Sequence, residues 1–170
     1  MRTLVYEAQG HWFSSGGSCV VSEDGAEVAT IDLEPGTWLG GGPTWTWRGP
    51  FGAEWSMQAA GDRRYEVVRS DGVGLGALTR PWMTSAMTLE AEDGRHGEVD
   101  AKGWFDRDRH VALPDGLQAV VTRETPALTL SSREVWRLDL PEGLTDPLRA
   151  LVVALPLALD HRRRRQEQSN

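Results

Sequence analysis

Four consecutive arginines, Arg162 to Arg165, form the densest group of chemistry-bearing side chains in the sequence. Adjacent guanidinium groups attract anions, and beside an acidic membrane leaflet each contributes about 1 kcal/mol of binding. A plainer role competes with this one. Cations at a helix C-terminus complement the helix dipole, and the polar end Gln166 to Asn170 reads as solvated disorder.

Asp139, Glu142 and Asp146 make a second group, acidic and closely spaced, in which a cation is the chemistry to consider. Calcium takes six to eight oxygen ligands. Three carboxylates around Pro141 fall short of that, and Asp146 before Pro147 is better used as a helix N-cap. The alternating run Asp106-Arg107-Asp108-Arg109-His110 reads as a hairpin end between Phe105 and Val111, its charges paired at the surface for little energy. His11, His96, His110 and His161 share no metal-ligand spacing. No Gly-x-Ser-x-Gly elbow is present, and Gly72-Val-Gly-Leu-Gly76 is followed by no helical run, which a phosphate loop requires. No catalytic residue, metal or cofactor is assigned.

Composition narrows the function classes. The 170 residues carry a net charge of −7. Residues 162 to 170 hold four Arg and one Glu, +3, which leaves −10 for the rest. An acidic body argues against nucleic acid as a partner, and any anionic partner meets the tail first. A single cysteine, Cys19, excludes an intrachain disulfide and a Cys-based zinc site. Residues 1 to 20 lack the basic start and long apolar run of a secretory signal, so the expected home is the cytoplasm.

The elements that must position these groups are mostly strands. Ala29, Ile31 and Leu33 alternate with polar residues; so do Trp45 and Trp47, then Trp55, Met57 and Ala59, then Met87, Leu89 and Ala91, and finally Trp136, Leu138 and Leu140. A period of two with one wet and one dry face is the pattern of antiparallel sheet. Asp24-Gly25, Asp71-Gly72, Asp93-Gly94 and Asp115-Gly116 supply hairpin turns, the last three spaced 22 residues apart as a meander of two strands and two turns requires. About twelve short strands suggest a closed barrel or a sandwich. Of the eight tryptophans, the alternating ones such as Trp45 and Trp55 fit the core, while Trp38, Trp82 and Trp104 fall near Gly or Pro, where a loop-tip ring suits an interface or cleft.

After Pro141 the pattern changes. From Leu148 to Leu159 only Arg149 is charged, so a helix here is apolar all round and must be enclosed. Residues 147 to 159 span about 20 Å as a helix, whereas a bilayer core of about 30 Å needs about twenty apolar residues. No transmembrane span is expected. The length matches the height of a barrel whose strands run six or seven residues, and a barrel of about eleven strands or more has room for a central helix. Leu148, Leu151, Val152, Leu155 and Leu159 are then its core. Pro156 should kink or end the helix near Val152 to Leu155.

A β-rich body ending in Asp146-Pro147-Leu148, an apolar helix, then Leu159-Asp160-His161-Arg162 resembles the tubby C-terminal-like superfamily, which includes LURP-one-related proteins and phospholipid scramblases. The resemblance covers mainly residues 63 to 161 and opens on Tyr65-Glu-Val-Val-Arg-Ser-Asp-Gly72-Val-Gly-Leu-Gly76. It implies a mainly β fold, a closed antiparallel barrel of about twelve strands around a central hydrophobic C-terminal helix. It also implies contact with phospholipid or phosphoinositide headgroups, and in scramblase-like members an acidic calcium segment before the helix, which here is Asp139 to Asp146.

The expected organisation is one barrel domain over residues 1 to 161, with its core helix at 147 to 161, and a disordered basic tail at 162 to 170. The expected activity is non-enzymatic: binding of an anionic phospholipid surface through Arg162, Arg163, Arg164 and Arg165, or of a membrane-proximal protein, at the inner face of the membrane. The alternatives are a small-ligand barrel of lipocalin type and an enzyme with residues scattered over the strands.

Overall fold

The computed structural model of the chain describes residues 1–8, 17–36, 41–49, 54–61, 63–81, 86–100, 107–124 and 134–169. Twelve antiparallel strands, in chain order, are β1 (Arg2–Ala8), β2 (Gly17–Glu23), β3 (Ala26–Glu34), β4 (Thr44–Arg48), β5 (Trp55–Ala59), β6 (Arg64–Arg69), β7 (Gly74–Thr79), β8 (Met87–Ala91), β9 (His96–Val99), β10 (Asp108–Ala112), β11 (Gln118–Glu124) and β12 (Val135–Leu140). Each pairs with its neighbours in sequence, and β1 with β12 closes the barrel, Leu4 opposite Leu138 and Tyr6 opposite Trp136. One helix, α1 (Asp146–Gln168), follows.

Period-two patterning selects the lumen face of every strand. Ile31, Leu33, Trp45, Trp47, Met57, Leu89 and Leu138 are all buried, and their polar neighbours in sequence form the outer wall. Trp47 stacks on Trp55 with ring centroids 5.4 Å apart. The Asp-Gly pairs cap hairpins as their backbone preferences dictate. Asp24 and Gly25 both take positive φ between β2 and β3. At the two turns that follow β6 and β8, Asp71 and Asp93 accept the backbone N–H two residues on, Val73 and Arg95. The 22-residue spacing thus arises from successive hairpins opening on the same end of the barrel. Gly76, in the glycine-rich run, has φ of 137°, and a Cβ there would strike the Glu90 carbonyl and Ala91 on β8. Its role is close strand approach, not phosphate binding.

Through Leu148, Leu151, Val152, Leu155 and Ala158 the helix is fully enclosed, and Leu159 is partly buried against the same core. It packs mainly on β6, β7, β8, β11 and β12. No described helix is long and apolar enough to cross a membrane.

Three expectations need correction. The N-cap is Thr145; Asp146 is already inside the first turn, where its carboxylate accepts from Arg149 Nη1 at 3.0 Å. Pro156 does not end the helix, which runs on through it. Pro156 has no N–H to offer the Val152 carbonyl; separately, the Tyr6 hydroxyl, from β1, donates to the neighbouring Val153 O at 2.8 Å. Residues 162 to 168 are not a disordered tail. They are the last two turns of α1, because Glu134 and Asp160 hold the arginines that follow the apolar segment.

Enclosure makes the helix intolerant of charge. Leu155→Asp should give no soluble folded protein, since a buried carboxylate would have no partner. Leu155→Ala should fold but lose about 2–5 kcal/mol in urea denaturation, the range for a cavity of that size in a close-packed core.

Candidate functional site: the arginine-bearing mouth of the barrel

Because β12 runs from Val135 to Leu140 and the helix turns back at Thr145, α1 descends the lumen and emerges beside the start of β12. At this mouth the odd-numbered strands end and the even-numbered strands start, among them the end of β11 and the starts of β6, β10 and β12. The opposite end carries the Asp-Gly turns and Glu142, whose carboxylate lies 3.7 Å from the N-terminal amine of Met1.

Helical geometry divides the four arginines, since successive residues point about 100° apart. Arg163 Nη2 donates to both oxygens of Glu134, at 2.6 and 2.7 Å, and to Asp160 Oδ1 at 3.1 Å. Arg164 reaches Glu134 Oε2 at 3.0 Å through Nη2 and Asp160 Oδ2 at 3.4 Å through Nε. From β11, Arg123 Nη2 reaches Glu134 Oε1 at 3.4 Å. Two carboxylates and three guanidinium groups therefore form one cluster. Asp160 is only 3 % exposed, the one buried charged residue among those described.

Burial pushes the Asp160 carboxyl up to about 7, and the hydrogen bond and charge of Glu134 push the same way against Arg164 and Arg163. Glu134 is also raised by burial, but its hydrogen bond with Asp160 and the charges of Arg163, Arg164 and Arg123 outweigh that and leave it below the ordinary range. One carboxyl up and one down is the behaviour of a pair sharing a proton. Beside Asp160 lies a cavity of about 10 Å³, room for one water, lined also by Tyr6, Cys19, Trp136 and Leu157. Burial pushes the Cys19 thiol far up as well, so it is an inert core residue and not a nucleophile.

On another face of the helix, Tyr65 Oη lies 2.9 Å from His161 Nδ1 and 3.4 Å from Ala158 O, and Trp45 packs edge-on against the His161 ring at 5.1 Å. Arg162 is half-buried. Burial, with the charges of Arg80, just past β7, and Arg109, on β10, lowers its guanidinium to about 10 against an opposing effect of Tyr65. Arg165 is exposed. The block Arg162 to Arg165 is thus two structures: a carboxylate-held pair and a like-charge group centred on Arg162.

The acidic candidates are not brought together. Asp139 accepts from Thr3 Oγ1 at 2.7 Å on β1, Asp146 pairs with Arg149, and Glu142 is near the N-terminus. No group of three His, Cys, Asp or Glu side chains with metal-binding geometry exists among the described residues. Asp108 and His110 follow the alternation of β10; Asp100 accepts the His110 backbone N–H at 3.2 Å, and Arg109 Nη1 donates to the Asp100 carbonyl at 3.3 Å. Trp12, Trp38, Trp82 and Trp104, with His11 and Asp106, lie outside the described residues.

Sequence reasoning missed Glu134, Arg123 and the role of Asp160. A signal existed for the last: Asp160 precedes Arg163 and Arg164 by three and four residues, the helical ion-pair spacing.

No family model, curated protein or solved structure matches the chain.

Breaking the cluster should be costly and specific. Arg163→Ala should lose about 3–5 kcal/mol, because it strips a partner from the buried Asp160 and the half-buried Glu134, whereas Arg165→Ala should stay within about 0.5 kcal/mol; urea melts of both variants check this.

Proposed function

We propose that this protein is a tubby-like, non-enzymatic barrel that binds phospholipid or phosphoinositide headgroups at the cytoplasmic membrane surface. The observation that carries the reading is the group Arg80, Arg109 and Arg162, which crowds positive charge at the mouth where the helix emerges, in a chain whose net charge is −7. Like charges that act on one another raise the local potential felt by an anion. The architecture, a twelve-stranded barrel closed around an apolar C-terminal helix, is the one the sequence resemblance implies, although fold alone does not assign activity.

The geometry also redistributes the roles of the tail. Arg163 and Arg164 are neutralised by Glu134 and Asp160, so they contribute structure more than headgroup affinity. The headgroup side belongs to Arg162 and Arg165 with Arg80 and Arg109. A small-ligand lumen of lipocalin type is disfavoured, because Leu148, Leu151, Val152 and Leu155 fill the interior.

Vesicles containing phosphatidylserine or a phosphoinositide should bind the protein at low salt and release it as salt rises. The double variant Arg80→Gln/Arg162→Gln should weaken that binding about thirtyfold, two charges at about 1 kcal/mol each, with the fold intact by circular dichroism. Equal binding by variant and wild type would overturn the reading and turn attention to a protein partner.

A further inference from the structure

The contacts of Glu134 and Asp160 lead beyond headgroup binding and do not rest on it. Both carboxylates accept from the same nitrogen, Arg163 Nη2, at 2.6 and 3.1 Å, and both are reached by Arg164. Asp160 has an apolar floor of Leu157 and Pro156 and is buried. Two ionised carboxylates so close, one of them desolvated, are a costly arrangement; one carboxyl and one carboxylate sharing a proton are not.

We propose that Asp160 and Glu134 hold a single proton between them, clamped by Arg163 and Arg164, and that this proton fastens the last turns of α1 to the barrel mouth. The fold is therefore proton-sensitive at its helix exit. The charged and titratable groups that line Asp160 among the described residues fit this role. From its own helix come Arg163 and Arg164; from the start of β12, Glu134; from β11, Arg123, which acts on Glu134. From β1 and β2 come Tyr6 and Cys19, both buried, with proton affinities raised by burial, so they stay neutral while Asp160 titrates. Glu7 on β1 is exposed, on the outer wall.

The sign follows from linkage. The folded carboxyl at about 7 lies above the ordinary Asp value of 3.8, so the folded state holds a proton that the unfolded chain has released. Its stabilising contribution is complete below about 4, is lost as pH rises towards 7, and is absent above that. Glu134, lowered on folding, acts in the opposite sense, with its window below its ordinary value of 4.5. Between pH 5 and 7, Asp160 alone governs the cluster.

The experiment compares the full chain with Asp160→Asn, in which an amide takes the place of the protonated acid while all four histidines remain. The Tm of Asp160→Asn minus that of the wild type should grow by about 5–10 °C from pH 5 to pH 7 and level off above. A difference constant with pH overturns the proposal. The carboxyl carbon of Asp160 in the wild type, followed by NMR, gives a readout that needs no variant: a midpoint near 7 supports the shared proton, and one below about 5 refutes it. Glu134→Gln, which removes the competing charge, should move that midpoint down by at least one unit; an unmoved midpoint would show that Glu134 does not share the proton.

Discussion

A helix that is apolar on every side needs a wall on every side, and the rest of this molecule follows from that requirement. Leu148, Leu151, Val152 and Leu155 share one face of α1, Val153, Ala154 and Leu157 cover the opposite side, and all seven are buried in the same core. The dependence is mutual. An up-and-down barrel of twelve strands is too wide for its own side chains to fill, so without the helix its lumen would be a large void, and voids on that scale are incompatible with native packing density. Neither part has another place to put its apolar surface. The closing pair, β1 with β12, joins the two extremes of the strand order and must form around a helix that comes later in the chain. Assembly is thus dominated by contacts distant in sequence, the condition for slow folding.

Enclosure sets a second problem where the helix meets water. Backbone carbonyls inside the lumen need donors if the ladder is interrupted, and Pro156 interrupts it. The wall also sets hydroxyls against the helix backbone, Tyr6 at Val153 and Tyr65 near Ala158, two aromatic side chains whose rings fill volume while their tips reach carbonyls. One turn beyond, at Asp160, the sequence introduces charge before the helix has cleared the mouth. Such a buried carboxylate is a net cost unless several donors converge on it, and Arg163 and Arg164 on its own helix do so. Glu134 then fixes which strand the helix end faces. We regard the cluster as setting register more than as adding stability, since a well-packed apolar substitute would stabilise the mouth as well or better.

The parts of this design that were legible in the sequence share a property: each is local. Alternation in residues 29 to 33 or 136 to 140 concerns one strand and its two faces, and an Asp-Gly turn concerns four residues. The helix length could be compared with strand height without knowing which strands touched it. What stayed hidden depends on pairing across the fold. Glu134 sits next to a run of Ser and Arg and carries no mark of importance until Arg163, 29 residues on, meets it. The helix start was displaced by one residue because Asp146 had a nearer use for its carboxylate, Arg149, than the backbone. The ending extends past the expected one for a related reason: a polar, arginine-rich segment has no core of its own, and the carboxylates that hold it, Asp160 on the same helix and Glu134 before β12, are only partly visible in local sequence.

Those partners also change what a run of four arginines means. As a string, Arg162 to Arg165 is one patch of charge +4. On a helix, adjacent residues face different surroundings, and the barrel mouth is not uniform around its rim. Towards β12 it is acidic, and there Arg163 and Arg164 are neutralised and partly buried. Towards β7 and β10 it offers Arg80 and Arg109, and there Arg162 meets like charge and burial together. The electrostatic consequences are opposite: carboxylates hold the first side in place, whereas on the second the neighbouring arginines weaken the proton affinity of Arg162. A count of basic residues in the tail therefore overstates the charge available to a partner and misplaces it, because that charge is set by which rim each guanidinium faces.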